Sequence, residues 1–400
     1  MNGLKTQKEK KCLWYTYLTF MMNGLLALSL GSLLPFIRES AGLSYAFAGM
    51  IVSLHSVGNL LAGFAAGIFP AVIGKRKNIL LFNACYALSY LLIVAGGNAF
   101  CLALAYFMTG LARGASSNFA NDMVNSLAPG KASYLNGLHA MFSVGAFSFP
   151  VFLTILTRSS VANWMYACYA MVGMGILSWL LYYRMPMEKG KAARKEAESG
   201  RGTGQLAFFK EPLFYLCTLI LFFYLCAEQG VIGWLITYFV DTGLLTVSLS
   251  QLMASMLWIM MLTGRLTTAW AVRRAKKEHL LLLMSTGAVC FFFCLLRSEN
   301  TLPVLFGIMG FGFSMAGIYP TTVSFCGTLI QKYAIAWSFI LTLASFGSIL
   351  MPAVIGRVAQ YAGIAYAMGL VAIAVAVDLI LIAILNLYIS RKAEKNADAL

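Results

Sequence analysis

The chain has 400 residues, of which 60% are hydrophobic and only 11% are charged, and its formal net charge is +15. Soluble domains carry about 25% charged residues, so this composition excludes an ordinary water-exposed surface. The nine cysteines show neither metal-ligand spacing nor a disulfide framework. We therefore expect no metal site and no cofactor.

Long apolar stretches divide the chain into candidate membrane-spanning segments, because crossing the hydrocarbon core takes about 20 apolar residues. They are continuously apolar, without the period-2 alternation of barrel strands, and so predict helices. In chain order the twelve stretches are 14–37, 46–72, 78–95, 99–125, 134–157, 162–183, 212–240, 250–273, 278–296, 302–328, 334–357 and 362–389. The predicted fold class is an all-α membrane protein.

The basic residues predict the orientation of these helices. Most of the 29 lysines and arginines precede the first span, follow the last, or occupy alternate loops. Those on the other side are Arg38, Arg158, Arg297 and Arg357. Because cytoplasmic loops are enriched in Lys and Arg, we expect an integral protein of the plasma (inner) membrane with both termini in the cytoplasm. Charge spread over short loops predicts contact with anionic lipid and argues against nucleic-acid binding.

A charged stretch in the middle of the chain divides the spans six and six. The predicted units are an N-terminal six-helix bundle (1–183), a cytoplasmic linker (184–211) and a C-terminal six-helix bundle (212–400). Motifs recur between the halves at an offset of about 200 residues, which indicates an internal repeat. "SVGAFSFP" of the fifth span, with Gly145, matches "SFGSILMP" of the eleventh, with Gly347. "MTGLARGASSNFAND" of the fourth matches "IMGFGFSMAGIYPTT" of the tenth, which pairs Gly110 with Gly310.

Twelve spans in two halves joined by a basic loop resemble the major facilitator superfamily of secondary transporters, over essentially the whole chain. The resemblance implies two pseudo-symmetric six-helix bundles around a midplane cavity that opens alternately to either side. It also implies that the first and fourth spans of each half line this cavity. The superfamily's loop motif is partly present in "GIFPAVIGKRK", where Gly74 and the basic cluster with Arg76 match but Ala71 replaces the expected acid.

We assign four residues near the cytoplasmic ends of the spans to a gate: Gly74, Arg76, Asp122 and Arg265. A loop tether is the alternative for Asp122, and a scaffold role is the alternative for Arg265.

Three segments resemble one group within the superfamily, the fucose–glucose–galactose proton symporters. They are "YLCAEQGVIGWLITYFV", with Glu228, Trp234 and Tyr238 in matching positions, "LNGLHAMFSVGAFSFP", with Asn136 and His139, and "GRL" at 264–266. The group's best-known members carry acids in the first and fourth spans, where this chain has Asn23 and Arg113. That departure leaves the sugar specificity and the usual proton site of the group open here.

The two central charges are the strongest functional candidates. A charged side chain at the bilayer centre costs roughly 2.5–3.5 kcal/mol, so such residues face a cavity or a partner. We assign Glu228 as the proton carrier or a substrate ligand, the alternative being a structural acid bonded to a neighbouring helix. Arg113 is similarly central in the opposite half, and we expect it either to meet Glu228 across the cavity or to bind a carboxylate cargo. Simple packing against backbone carbonyls is the third reading of Arg113.

The other candidate substrate-binding residues are polar or aromatic side chains on the expected cavity helices. At 100° per residue, part of the fourth span forms a polar face beside Arg113. The residues concerned are Asn23, Ser117, Asn118, Asn121, Asn136, His139, Trp234 and Tyr319. His55 lies on a helix that we expect to be peripheral to the cavity, so we assign it a structural role.

These patterns predict a secondary active transporter that takes up a small polar solute, such as a sugar, driven by protons. The expected partners are the solute, protons and membrane lipid, and we expect a monomer. The alternatives are an exporter of amphipathic compounds, an organic-anion transporter that uses Arg113, and a solute receptor that does not transport. An enzyme is not expected, since the sequence contains no HExxH, GxSxG or phosphate-loop motif.

Overall fold

The computed structural model describes residues 6–96, 98–129, 131–187, 206–333 and 335–397. Within these ranges all regular structure is helical, and twelve helices are long and apolar enough to cross a membrane. Six of these helices precede residues 188–205, which lie outside the described ranges, and six follow them. The predicted all-α membrane protein is confirmed, whereas most of the predicted linker 184–211 lies outside the described residues.

The spanning helices are α1 (Gln7–Ser40), α2 (Tyr45–Ile73), α3 (Lys75–Val94), α4 (Ala99–Leu127), α5 (Ala132–Thr157), α6 (Trp164–Arg184), α7 (Pro212–Asp241), α8 (Val247–Ala271), α9 (Lys277–Leu296), α10 (Thr301–Met315, resuming as Ile318–Phe325), α11 (Ala336–Ala362) and α12 (Gly369–Ala397). At the majority of their ends, these helices are a few residues longer than the predicted spans. Arg38, predicted just beyond the first span, and Arg357, predicted at the end of the eleventh, lie inside α1 and α11.

Polar side chains set where several helices begin. Thr6 and Glu9 form a capping box at the start of α1, in which Glu9 N donates to Thr6 Oγ1 at 3.1 Å and Thr6 N donates to Glu9 Oε2 at 3.0 Å. Ser44 and Asn98 cap α2 and α4 through single side-chain oxygens. Such caps satisfy backbone N–H groups that have no partner inside the helix, so these starts are encoded locally.

An even number of spans places both ends of the chain on one side of the molecule. The start of α1, the end of α6, the start of α7 and the end of α12 share this side, which we call the termini side, and the other is the far side. We call α1–α6 the N-half and α7–α12 the C-half.

The predicted repeat corresponds to equivalent helix contacts in the two halves. A Cβ on Gly145 would collide with the backbone carbonyl of Met21 on α1, and a Cβ on Gly347 would collide with that of Phe222 on α7. Glycine at these positions lets the fifth helix of each half approach the first closely. The motif pair around Gly145 and Gly347 therefore encodes the same contact twice.

The second motif pair needs a correction. Gly110 on α4 faces the backbone of His55 on α2, whereas Gly310 on α10 faces the ring of Phe291 on α9. It is Gly312 that faces the backbone of α8, at the carbonyl of Leu257. The structural equivalent of Gly110 is therefore Gly312, which lies two residues later than the sequence comparison predicted.

A group of polar side chains joins the two halves at the far side. Arg38 at the end of α1 forms an ion pair of 2.5 Å with Asp241 at the end of α7. Tyr45 donates its hydroxyl to the same carboxylate at 2.6 Å, and its backbone N–H to Gln360 Oε1 on α11 at 3.0 Å. The Arg38 guanidinium also lies 4.3 Å from the centre of the Tyr45 ring. We call Arg38, Tyr45, Asp241 and Gln360 the far-side latch.

Below the latch the halves stay in contact down to the middle of the molecule. Two further hydrogen bonds join the halves in the far half of the molecule, Gln251 Nε2 to Ser32 O and Ser255 Oγ to Phe147 O, both at 2.9 Å. Near the middle, the Phe142 ring of α5 meets Trp258 of α8 at 6.2 Å.

On the termini side the halves do not close over one another. His139, one turn from Phe142 towards the termini, is exposed. Two described ion pairs at this end join helices of a single half, Lys75 with Asp122 at 2.7 Å and Lys332 with Glu211 at 3.0 Å. The space between the halves is therefore open to the termini side, and we call it the cleft.

Glycine packing predicts a matched pair of stability defects. Gly145→Ala and Gly347→Ala each introduce a methyl group against a backbone carbonyl, so each should destabilise the protein by roughly 1–3 kcal/mol and lower its Tm in detergent. Gly173→Ala on α6 is the control, because an added Cβ there meets nothing within 4 Å. Melting temperatures of Gly145→Ala and Gly347→Ala as high as that of Gly173→Ala would contradict the two close contacts.

The far-side latch should bias the molecule towards the state that is open on the termini side. Asp241→Asn removes the ion pair, which at a partly exposed site contributes up to about 1 kcal/mol, so the far side should open about fivefold more often. The readout is the reaction rate of a cysteine at Val52 (Val52→Cys), which is buried in the seam against Gly233. Lys332→Gln, which breaks an ion pair within one half, should leave that rate unchanged. An equal rate in Asp241→Asn and the parent would rule out the latch.

Candidate functional site

Glu228 lies near the middle of α7 and is partly exposed. Tyr224, one turn earlier on the same helix, donates its hydroxyl to Glu228 Oε1 at 2.9 Å, and Gln229 Nε2 lies 3.4 Å from Oε2. Two donors therefore hold the carboxylate in place while one face of it remains accessible. This matches the expected environment of an intramembrane acid, which has to find polar partners or water.

Arg113 lies on α4 of the N-half, close enough for the charge of Glu228 to act on it across the cleft. No ion pair within 4.0 Å joins these two described residues. The two opposite charges thus face each other from different halves without direct contact. The prediction that they could meet across the cleft stays a prediction for another state of the molecule.

A histidine supports Arg113 from α2. Arg113 Nη1 lies 3.3 Å from His55 Nε2, and the His55 ring is buried. Because a guanidinium carries only donors, Nε2 must accept, which leaves the proton of the neutral imidazole on Nδ1. His55 therefore orients Arg113, which is a structural role of the kind expected for it.

Asn23 does not face the cleft in this state. It is buried, with 1% of its surface exposed, and its amide is engaged on both sides. Asn23 Nδ2 donates to Ser117 Oγ at 3.1 Å, and Asn23 Oδ1 accepts from the hydroxyl of Tyr86 on α3. The amide thus ties α1 to α3 and α4 beside Arg113. Here Asn23 positions the helices of the site, whereas we expected it to contact the solute.

The two asparagines predicted on α4 bond back into their own helix. Asn118 Nδ2 donates to Gly114 O at 3.0 Å and Asn121 Nδ2 donates to Ser117 O at 2.8 Å. Asn118 is exposed and Asn121 is partly exposed. Each amide keeps its carbonyl oxygen for another partner, so this face still offers acceptors.

Around the mouth of the cleft, α5 and α8 place polar groups opposite each other. His139 packs edge-on against the Phe20 ring at 5.8 Å and lies within range of the charge of Arg265 on α8. Asn136, also exposed, lies about one turn nearer the termini on α5. Arg265, predicted as part of a gate or scaffold, thus faces the opposite half at the cleft.

Tyr319 closes the C-half side of the site. Its ring packs against Tyr224 at 5.6 Å, and it lies within range of the charge of Glu228. The helix breaks between Met315 and Ile318, as expected beside Pro320, which lacks the N–H that would bond the carbonyl of residue 316. The structure therefore places Tyr319 near Glu228, and its contact with a solute stays a prediction.

Trp234 lies outside the open part of the cleft. Its indole is fully buried and donates to Pro352 O on α11 at 3.1 Å, and its ring packs against Tyr45 of the latch at 6.0 Å. In this state the residue belongs to the closed seam rather than to the expected solute site.

Three of the predicted gate residues have their structural roles within the N-half. Gly74 separates α2 from α3 with φ at +85°, a conformation that favours glycine. Arg76 donates to Met185 O beyond the end of α6, and Asp122 pairs with Lys75. In this state these residues hold the termini-side ends of one half together, which agrees with the loop-tether alternative for Asp122.

Sequence signals existed for two contacts that were not predicted. Tyr224 and Glu228 are spaced i, i+4, so their side chains meet on one helix face. Gly58 and Gly110 each approach the backbone of the opposing helix where α2 crosses α4, and this close approach brings His55 within reach of Arg113. For Tyr86, which reaches Asn23 from another helix, the sequence gives no such signal.

Comparisons with known proteins agree with this architecture. Curated relatives include the Protein TsgA homologs of Yersinia enterocolitica serotype O:8 / biotype 1B (strain NCTC 13174 / 8081), 21% identical, and of Yersinia pestis (strain Pestoides F), 20% identical. Each comparison spans 356 residues, 88% of this chain and 89% of the relative.

Solved structures share the fold. A bacterial homolog of the human lysosomal transporter Spinster, inward-facing and unoccupied, aligns with a TM-score of 0.76 at 12% identity over 96% of this chain and 98% of that one. The nucleoside transporter NupG aligns with a TM-score of 0.78 at 13% identity over 93% and 99%. At these identities the likeness shows the fold alone.

The sequence profile described as Major Facilitator Superfamily matches residues 16–334. This match covers well over half of the chain and includes helices of both halves. The protein therefore belongs to the major facilitator superfamily, and it is a secondary transporter rather than an enzyme.

Proposed function

We propose that this protein takes up a small polar solute together with protons, by alternating access, and that Glu228 carries the proton. One observation supports this most strongly: Glu228 is partly exposed in the cleft of one half, and its charge acts on Arg113 in the other half. A titratable group that faces a fixed charge across a moving boundary can couple protonation to movement.

The coupling follows from elementary electrostatics. Arg113 stays charged, so an ionised Glu228 attracts it across the cleft, by up to about 4 kcal/mol for unit charges 4 Å apart in a partly buried setting. Protonation of Glu228 removes this attraction. The relative free energy of the open and closed cleft then depends on whether Glu228 carries a proton.

The residues around this pair supply contacts for a solute. Asn118 and Asn121 retain free carbonyl oxygens, and Ser117 offers a hydroxyl. Tyr319 and Tyr224 add a paired aromatic surface. Amide and hydroxyl groups suit a hydroxylated solute, in keeping with the resemblance to the fucose–glucose–galactose proton symporters. That group's acids in the first and fourth spans are replaced here by Asn23 and Arg113, which leaves Glu228 as the carrier.

The direction of the cycle rests on the distribution of basic residues. Because Lys and Arg are concentrated on the termini side, we assign that side to the cytoplasm and the protein to the plasma (inner) membrane. The described state is then the one that releases solute to the cytoplasm. Glu228 takes its proton when the far-side latch is open and gives it up when the cleft faces the cytoplasm.

Glu228→Gln should abolish accumulation driven by a pH gradient and leave solute exchange intact. The assay uses proteoliposomes with labelled D-glucose, D-galactose, L-fucose or the hydroxylated anion D-gluconate as probe solutes, with and without an imposed pH gradient. The variant keeps a polar side chain but cannot ionise, so gradient-driven accumulation should fall at least tenfold, about 1.4 kcal/mol, while counterflow continues.

Glu211→Gln provides the matched control, since it removes an acid at the termini-side start of α7, outside the cleft. It should accumulate the probe solute like the parent. Full gradient-driven accumulation by Glu228→Gln would exclude Glu228 as the carrier. If the parent accumulates none of the three sugars, sugar is the wrong solute class.

A further inference from the structure

We propose that the solute is a small organic anion that binds through Arg113 and Arg265. This inference rests on the proposed transport function and names the chemical class of its solute. The proposed site uses two guanidinium groups, one from each half. From the sequence, only Arg113 was expected to contact the solute.

The charge balance of the cleft is positive. Among the described residues, the ionised groups assigned to the cleft are Arg113, Arg265 and Glu228, which leave one uncompensated positive charge. Asp122 does not offset it, because it pairs with Lys75 at the termini-side end of the N-half. Asp241 is likewise engaged in the latch on the far side. An uncharged solute would leave this excess in place, whereas an anion neutralises it.

Both guanidinium groups keep accessible donors. In the described part of the chain, Arg113 contacts one side-chain acceptor, His55, and Arg265 has no hydrogen-bond partner. Neither arginine has a nitrogen among the buried unpartnered atoms, in contrast to Arg38, whose Nε is one of them. Their unpaired N–H groups therefore face accessible space. A guanidinium presents its donors in a planar fork that matches a carboxylate or a phosphonate with two parallel hydrogen bonds.

The two arginines lie at different depths. Arg265 is six residues before the termini-side end of α8 at Ala271, about 9 Å at 1.5 Å per residue. Arg113 is fourteen residues before the end of α4 at Leu127, about 21 Å by the same rise. Tyr224 lies between them, within range of the charges of both Glu228 and Arg265. An anion that passes between the cleft mouth and its base therefore meets one cation at each level.

The deeper level links the solute to the coupling residue. Glu228 and a solute carboxylate would both be attracted to Arg113, and like charges placed together repel each other. An anion at Arg113 therefore favours the neutral form of Glu228. Solute and proton then enter the cleft as a pair, and Arg113 takes part in both solute binding and coupling.

The test measures the charge preference of the cleft directly. His139→Cys places a thiol at an exposed position beside Arg265. Its rate of reaction is measured with anionic sulfonatoethyl and cationic trimethylammonioethyl methanethiosulfonate, by mass spectrometry of the peptide that contains residue 139. The ratio of the two rates is divided by the same ratio for free 2-mercaptoethanol. We expect the anionic reagent to be favoured about tenfold.

Two substitutions assign the effect to the arginines. Arg265→Gln should reduce the anionic preference at least threefold, and Arg113→Gln combined with it should abolish or reverse the preference. Arg297→Gln is the matched control, because it removes one positive charge at the far end of α9, where Arg297 lies over Phe293. That control should leave the ratio unchanged. Asn136→Cys, exposed on the same helix, is the second reporter should the first variant fail to fold.

A normalised ratio of one or below, or a ratio that does not respond to the two arginine substitutions, would overturn the proposal. The labelling is done in detergent without a gradient, so it does not depend on proton coupling. A positive cleft combined with full activity of Glu228→Gln would refute the coupling role and keep the anion class. A normalised ratio of one or below, combined with loss of gradient-driven accumulation in Glu228→Gln, would refute the anion class and keep the coupling role.

Discussion

The architecture depends on how a few charged side chains are tolerated in the middle of apolar helices. Each would cost roughly 2.5–3.5 kcal/mol at the bilayer centre without water or a partner. Glu228 receives two side-chain donors, Arg113 receives His55, and both remain partly exposed to the cleft. Exposure to the cleft thus lowers the free-energy cost of placing these charges within apolar helices. The charges in turn make the cleft a site for polar cargo.

The same constraint explains why the two halves are held together unevenly. The latch and the Gln251 contact close the boundary in the far half, and the Phe142–Trp258 pair closes it near the middle. At the termini side the ion pairs stabilise each half by itself. Rocking of the halves would exchange a few polar contacts at the far side and would leave the packing within each half intact. The close α5–α1 and α11–α7 contacts at Gly145 and Gly347 suit such rigid halves.

Features that depend on composition and local spacing could be predicted from the sequence. Twelve spans follow from apolar length, and the motifs around Gly145 and Gly347 identify the repeat because each glycine serves the same contact. The charges of Glu228 and Arg113 stand out because apolar spans contain few ionisable residues. Side-chain direction between helices could not be predicted: Asn23 turns towards Tyr86, His55 reaches Arg113, and Trp234 packs in the seam. These depend on helix rotation and crossing, which one sequence does not specify.

The central claim is that residue 228 meets water from the termini side while the far side is closed. The most direct measurement is the modification of Glu228→Cys in sealed vesicles of either orientation by a membrane-impermeant thiol reagent, read at the peptide that contains residue 228. The account predicts rapid reaction from the termini side and little from the far side. Absence of reaction from the termini side would contradict it, because the acid would then lie in a closed helix contact or against lipid.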